Sequence, residues 1–164
     1  MASEVHETFL TALATELRRA RIEAIVVGNM ASILNGAPVL TQDVDLLVRD
    51  TPLNRKKLKR LAVAMGGVGP EPISGLTSTE RIYGALVPID ILYDQMIGGV
   101  GGLKFASVRS RSHSEVVGHE MLTVASLADV IKSKTAAGRK KDKAVLPILH
   151  DTLATRRAAG LEKS

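Results

Sequence analysis

The chain has 164 residues, 45% hydrophobic and 24% charged, which suffices for one core of ordinary domain size, so a single domain over 1–164 is expected. It has no cysteine, which excludes disulfides, zinc–thiolate centres and thiol nucleophiles and leaves oxygen or imidazole donors for any metal. A net charge of +5 with 2% aromatic residues and no Trp suits a phosphate-rich partner, whether nucleotide or nucleic acid, but not a base-stacking single-strand binder.

In chain order, Val5, Phe9, Leu10, Leu13 and Leu17 recur at helical spacing and predict an amphipathic helix over Ser3 to Arg21. Ile22 to Val27 is a short β-branched run that reads as a buried strand ending at Gly28, and Asn29 to Leu34 as a short helix stopped by Asn35-Gly36. Asp43 to Val48 is a second strand. Thr51-Pro52 supplies an N-cap and a first-turn proline for a helix to about Met65. Gly69 to Thr79 reads as loop, Arg81 to Ala85 and Leu86 to Tyr93 as strands, and Glu115 to Thr123 as one more strand. Ser126 and Asp129 form a capping box for a helix to Ala137, and a last helix over Asp142 to Arg157 has Pro147 inside it, so it starts late or kinks there. The glycines of 98–102 lack the Lys-Ser/Thr of a phosphate loop and read as a turn. No segment approaches the ~20 apolar residues of a membrane span, and the N-terminus lacks the regions of a signal peptide, so a cytoplasmic location is expected.

The chemistry is concentrated in carboxylates. Asp43 and Asp45 are two apart on a strand, so both side chains leave the same face, ~6–7 Å apart at the backbone. Such a pair repels unless a cation or a basic group lies between its members. Asp90 stands alone between Ile89 and Ile91, where an unpartnered charge is costly, so it is the candidate third ligand. Magnesium suits few carboxylates completed by substrate phosphates.

This pattern resembles the minimal nucleotidyltransferases of the DNA polymerase β-like superfamily, including abortive-infection and toxin–antitoxin members. In that family a strand ends in Gly-Gly or Gly-Ser at a short helix, then come Thr-x-Asp-hydrophobic-Asp and a later lone Asp. The matches here are Gly28-Asn29, Thr41-Gln42-Asp43-Val44-Asp45 and Asp90, followed by a segment from Lys134 to Arg139 and Lys141-Asp142.

The resemblance implies an α/β (α+β) fold with a mixed sheet flanked by helices and a helical C-terminus. It also implies Mg²⁺ or Mn²⁺ on Asp43, Asp45 and Asp90, the last also helping to deprotonate the acceptor. An NTP donor would be bound by Gly28, Asn29, Thr41 and Lys134, although Lys134 reads rather more as structural, and Arg139 is expected to pair with Asp142 or another structural carboxylate. The implied activity is NMP transfer to a hydroxyl of RNA such as a tRNA end, of a partner protein, or of a small molecule such as an antibiotic. A toxin–antitoxin role follows by analogy alone.

The family's second Gly or Ser is Asn29 here, and Val39-Leu40 replaces the basic residue before its Thr. These departures motivate the alternative of a nucleotidyltransferase-fold module that binds NTP or a partner without turnover. Of the remaining signals, Arg55 to Arg60 reads as a solvated basic face ahead of a nucleic-acid contact, and Arg109, Arg111 and His113 as a looser basic cluster on a loop. The four histidines have no metal-ligand spacing.

Overall fold

The computed structural model describes residues 4–75, 78–97 and 103–162; the glycine turn expected at 98–102 lies outside them. Helix α1 (Glu4–Ala20) carries Glu4 and Glu7 in its first turn and Arg18 and Arg19 in its last, which complements the helix dipole. It buries Phe9, Leu10, Leu13, Ala14 and Leu17. Strand β1 (Ala24–Val27) runs without a loop into α2 (Gly28–Leu34), and β2 (Val44–Val48) follows. In α3 (Pro52–Ala64) the Thr51 hydroxyl accepts from the Asn54 amide at 3.1 Å, as the Thr-Pro pair predicts.

The next three strands are β3 (Val68–Pro72), β4 (Thr79–Tyr83) and β5 (Ile89–Tyr93). After them come α4 (Phe105–Arg111), the hairpin β6 (His113–Val117) and β7 (Glu120–Val124), and then α5 (Leu127–Ala137) and α6 (Lys140–Ala158).

All seven strands join one mixed sheet in the order β3-β4-β5-β2-β1-β7-β6. The centre is β-branched and apolar because it is covered on both faces: β5 is buried throughout, and β2 buries all but Asp45. One cluster of buried apolar residues runs from α1 through β1, β2 and β5 to α5 and α6. Among the described residues no helix is long and apolar enough to cross a membrane.

Several local expectations are corrected. Residues 68–72 form an edge strand, not loop; it pairs only with β4 and is largely exposed, so neither apolar alternation nor avoidance of proline is required of it. The strand expected over Glu115 to Thr123 is two, because Gly118, at φ +59°, turns the chain. Arg109 and Arg111 lie in the short helix α4, not a loop, and the Arg111 Nε lies 2.9 Å from Asp129 Oδ2. The last helix begins before Asp142 and runs on through Pro147, which sits on an exposed face.

The basic run on α3 is partly structural. Arg55 pairs with Asp50 at 2.6 Å and Glu80 at 2.9 Å and lies over the Tyr93 ring, and the Lys57 ammonium donates to the Arg21 carbonyl. Lys56, Lys59 and Arg60 remain exposed.

Candidate active site

Sheet register assembles the site. Parallel pairing of β2 with β5 sets Asp45 beside Asp90, antiparallel pairing of β1 with β2 sets Val27 beside Asp45, and antiparallel pairing of β4 with β5 sets Arg81 beside Asp90. A polar row thus crosses an otherwise apolar sheet where β1 gives way to α2. Asp43, one residue before β2, joins it, and carboxylate oxygens of Asp43, Asp45 and Asp90 all lie within 4.8 Å of one another. They face a polar cleft of about 180 Å³ that is also lined by Asn29, Arg81, Lys134, Arg139 and Lys141.

The three carboxylates differ in their surroundings. Both Asp90 oxygens accept from Arg81, at 2.5 and 2.8 Å, and the same guanidinium reaches Asp43 at 3.5 Å. The Thr41 hydroxyl lies 3.1 Å from the Asp43 carboxylate and 3.1 Å from its carbonyl, which holds that side chain in place. The Asp45 side chain makes no hydrogen bond or ion pair among the described residues. Burial, then the charges of Asp43 and Asp90, push its carboxyl up to about 7, against partial relief from Lys134 and Lys141. A carboxylate so placed has too little counter-charge, and three hard oxygen donors converging on a polar cleft fit a divalent cation.

Gly28 explains the junction of β1 and α2. Its φ is +66°, which favours glycine, and a Cβ there would meet Asp45 Oδ2 at 2.1 Å and have to displace that carboxylate. Gly28→Ala is therefore expected to lower stability by about 1–2 kcal/mol through the left-handed backbone alone, and to weaken Mn²⁺ binding by pushing Asp45 aside. Denaturant melts and Mn²⁺ titration measure the two effects separately; unchanged metal affinity would mean that Asp45 is not a ligand.

The other sequence candidates divide. Asn29 lines the cleft, its amide donating to the Leu40 carbonyl at 3.4 Å, while its Oδ1 is buried without a hydrogen-bond partner among the described residues. Lys134 lines the cleft too, but its buried ammonium is shared with Asp142 at 3.5 Å. Thr41 stands behind Asp43 and does not itself line the cleft. Arg139 pairs with Asp142 at 2.6 Å, as expected. Sequence reading missed Arg81 and Lys141 as site residues. Arg81 carries a readable sign, a basic residue in a strand preceding the lone Asp, but its partner depends on register.

Solved structures share this architecture. The solution structure of the antibiotic-resistance factor ANT(2'')-Ia superimposes with a TM-score of 0.66 at 11% identity, covering 96% of this chain and 89% of that one. ANT(2'')-Ia in complex with adenylyl-2''-tobramycin gives 0.63 at 12% identity, covering 96% and 94%. A Thermotoga maritima protein assigned as a nucleotidyltransferase, TM1012, gives 0.63 at 13% identity, covering 90% and 93%. The fold is that of the nucleotidyltransferases. No protein-family model matches the sequence, and no curated protein matches it by sequence. What this chain shares with these nucleotidyltransferases is thus backbone architecture across nearly its whole length, and the chemistry rests on its own side chains.

Proposed function

We propose that this protein is a metal-dependent nucleotidyltransferase that moves a nucleoside monophosphate from an NTP to an acceptor hydroxyl. The observation that carries the reading is the convergence of Asp43, Asp45 and Asp90 within 4.8 Å of one another on a nucleotidyltransferase fold. Asp43, Asp45 and Asp90 would hold Mg²⁺ or Mn²⁺, which would supply charge neutralisation at the reacting phosphate and at the leaving pyrophosphate. The chain's own groups do the rest. The backbone amides at the start of α2, next to Gly28, are the groups offered to an incoming phosphate, and Asn29 lines the cleft beside them. Lys134 and Lys141 contribute positive potential around Asp45. The acceptor oxygen forms a bond to the α-phosphorus as the bond from that phosphorus to the bridging oxygen breaks, pyrophosphate departs, and the hydroxyl proton passes to the Asp90 carboxylate.

The tobramycin adduct of ANT(2'')-Ia makes a small-molecule hydroxyl one acceptor class and an adenylyl group one transferred unit; RNA ends and protein side chains are the others. The test is incubation with each α-labelled NTP, Mg²⁺ and, separately, total RNA, lysate protein or aminoglycosides. Label is expected to move with wild-type protein and not with Asp43→Asn. Nucleotide and metal binding without transfer to any class would instead identify a binding module, the reading that Asn29 and Val39-Leu40 first suggest.

A further inference from the structure

Arg81 already occupies the acidic cluster. Its Nε donates to Asp90 Oδ1 at 2.5 Å and its Nη2 to Asp90 Oδ2 at 2.8 Å, while Nη2 also approaches Asp43 Oδ2 at 3.5 Å. Two of the three carboxylates are thereby engaged by a group that keeps its charge at any physiological pH. A cation that uses all three must share the Asp90 oxygens with Arg81 or displace it, and in the first case it sits close to a positive charge. The engagement is built in by register, since β4 pairs Arg81 directly with Asp90. Yet the Arg81 side chain is 30% exposed and opens on the cleft, so it has somewhere to go.

We propose that Arg81 is a built-in counter-ion that closes the Asp43–Asp45–Asp90 cluster to a lone divalent cation and turns onto the phosphates when a nucleoside triphosphate enters, so that metal and nucleotide load together. The inference rests on the functional reading above and extends it to the order in which the site fills. A phosphate offers a guanidinium the same two-pronged acceptor geometry as a carboxylate, so Arg81 exchanges one bidentate partner for another without losing its charge-assisted hydrogen bonds. Asp90 is released at that moment, both to the metal and to the proton it must accept. By linkage, nucleotide tightens metal binding by the same factor as metal tightens nucleotide binding. A merely structural ion pair behaves in the opposite way: removing Arg81 would let Asp90 drift and would weaken the metal site.

The experiment is Mn²⁺ titration at pH 8, followed by electron paramagnetic resonance, with and without α,β-methylene-ATP, on wild type, Arg81→Met and Arg81→Lys. Wild type is expected to bind Mn²⁺ alone weakly and about tenfold or more tightly with the analogue; Arg81→Met is expected to bind Mn²⁺ alone at least about fivefold more tightly than wild type and to show a correspondingly smaller gain from the analogue. Arg81→Lys keeps the charge but not the fork and is expected to fall between; it carries the comparison if far-UV circular dichroism shows the Met variant unfolded. A folded variant that binds Mn²⁺ no more tightly than wild type, or retains the full coupling, overturns the gate alone. Failure of wild type to bind Mn²⁺ even with the analogue overturns the metal-site reading itself, and the gate with it.

Discussion

Asp45→Asn is expected to abolish nucleotide transfer while making the metal-free protein more stable. On the proposed reading Asp45 is a metal ligand, and removing a ligand that supports metal stabilisation of a reacting phosphate forfeits several kcal/mol at the transition state, so the loss in rate is expected to reach about a thousandfold or more. The stability effect has the opposite sign because Asp45 is strained when no cation offsets its charge. Its carboxyl is pushed from 3.8 to about 7 by burial and by Asp43 and Asp90. Between those pH values the native state holds a proton that the unfolded chain has lost, so wild-type stability falls as pH rises through the window and levels off above it. At about 1.4 kcal/mol per pH unit the full displacement sets a ceiling of about 4 kcal/mol; relaxation and water around a half-buried carboxyl reduce the expected gain for Asn to about 1–3 kcal/mol at pH 8. Urea melts in EDTA at pH 4 and pH 8 are the measurement. Wild type should lose stability between them while Asp45→Asn does not, and Mn²⁺ should restore wild type alone. Equal pH dependence of the two proteins would show that Asp45 is not the group under strain.

The largest stability loss is expected at Asp142. This side chain is only 1% exposed and serves two cations, Arg139 at 2.6 Å and Lys134 at 3.5 Å, while the Arg139 amide also donates to it at 3.3 Å. Burial pushes its carboxyl up, but the hydrogen bonds and charges of Arg139 and Lys134 outweigh that and hold it below the ordinary aspartate range. Its contribution is therefore present in full above that range and lost as pH falls below it. Asp142→Ala leaves Lys134 buried without its partner and removes the cap of α6, and breaking a buried pair from one side costs about 3–5 kcal/mol. Denaturant unfolding at pH 7 measures it. Asp142→Asn, which keeps the cap geometry but not the charge, should lose less. A loss below about 1 kcal/mol for the alanine variant would mean that the Lys134–Asp142–Arg139 group does not hold α5 to α6. Because Lys134 also lines the cleft, the same variant should alter nucleotide affinity without touching the three aspartates.

Whatever depended on neighbours in the chain was legible from the sequence. Thr51-Pro52 opens a helix, Gly28 ends a strand at a helix N-terminus, and strand alternation alone puts Asp43 and Asp45 on one face, because capping, left-handed backbone and a period of two are local properties. The pairing of Arg139 with Asp142 was readable for the same reason: three residues apart at a helix start, they meet whatever the rest of the chain does. Edge strand β3 and the hairpin of β6 and β7 were misread because an exposed edge tolerates proline and polar residues, and because one glycine can turn a strand back without interrupting its alternation.

The site as a whole was decided only by tertiary structure. Asp90 is 45 residues from Asp45 in sequence and becomes its neighbour through parallel pairing of β2 with β5; a shift of one residue would turn its carboxylate to the opposite face. The same register seats Arg81 on Asp90 and, among the described residues, leaves the Asp45 side chain without a hydrogen-bond or ion-pair partner. The sequence by itself determined which residues carry charge and which face of its own strand each occupies. Folding determined which of those charges meet, because Coulomb and hydrogen-bond energies depend on separations of a few ångströms that no local pattern encodes.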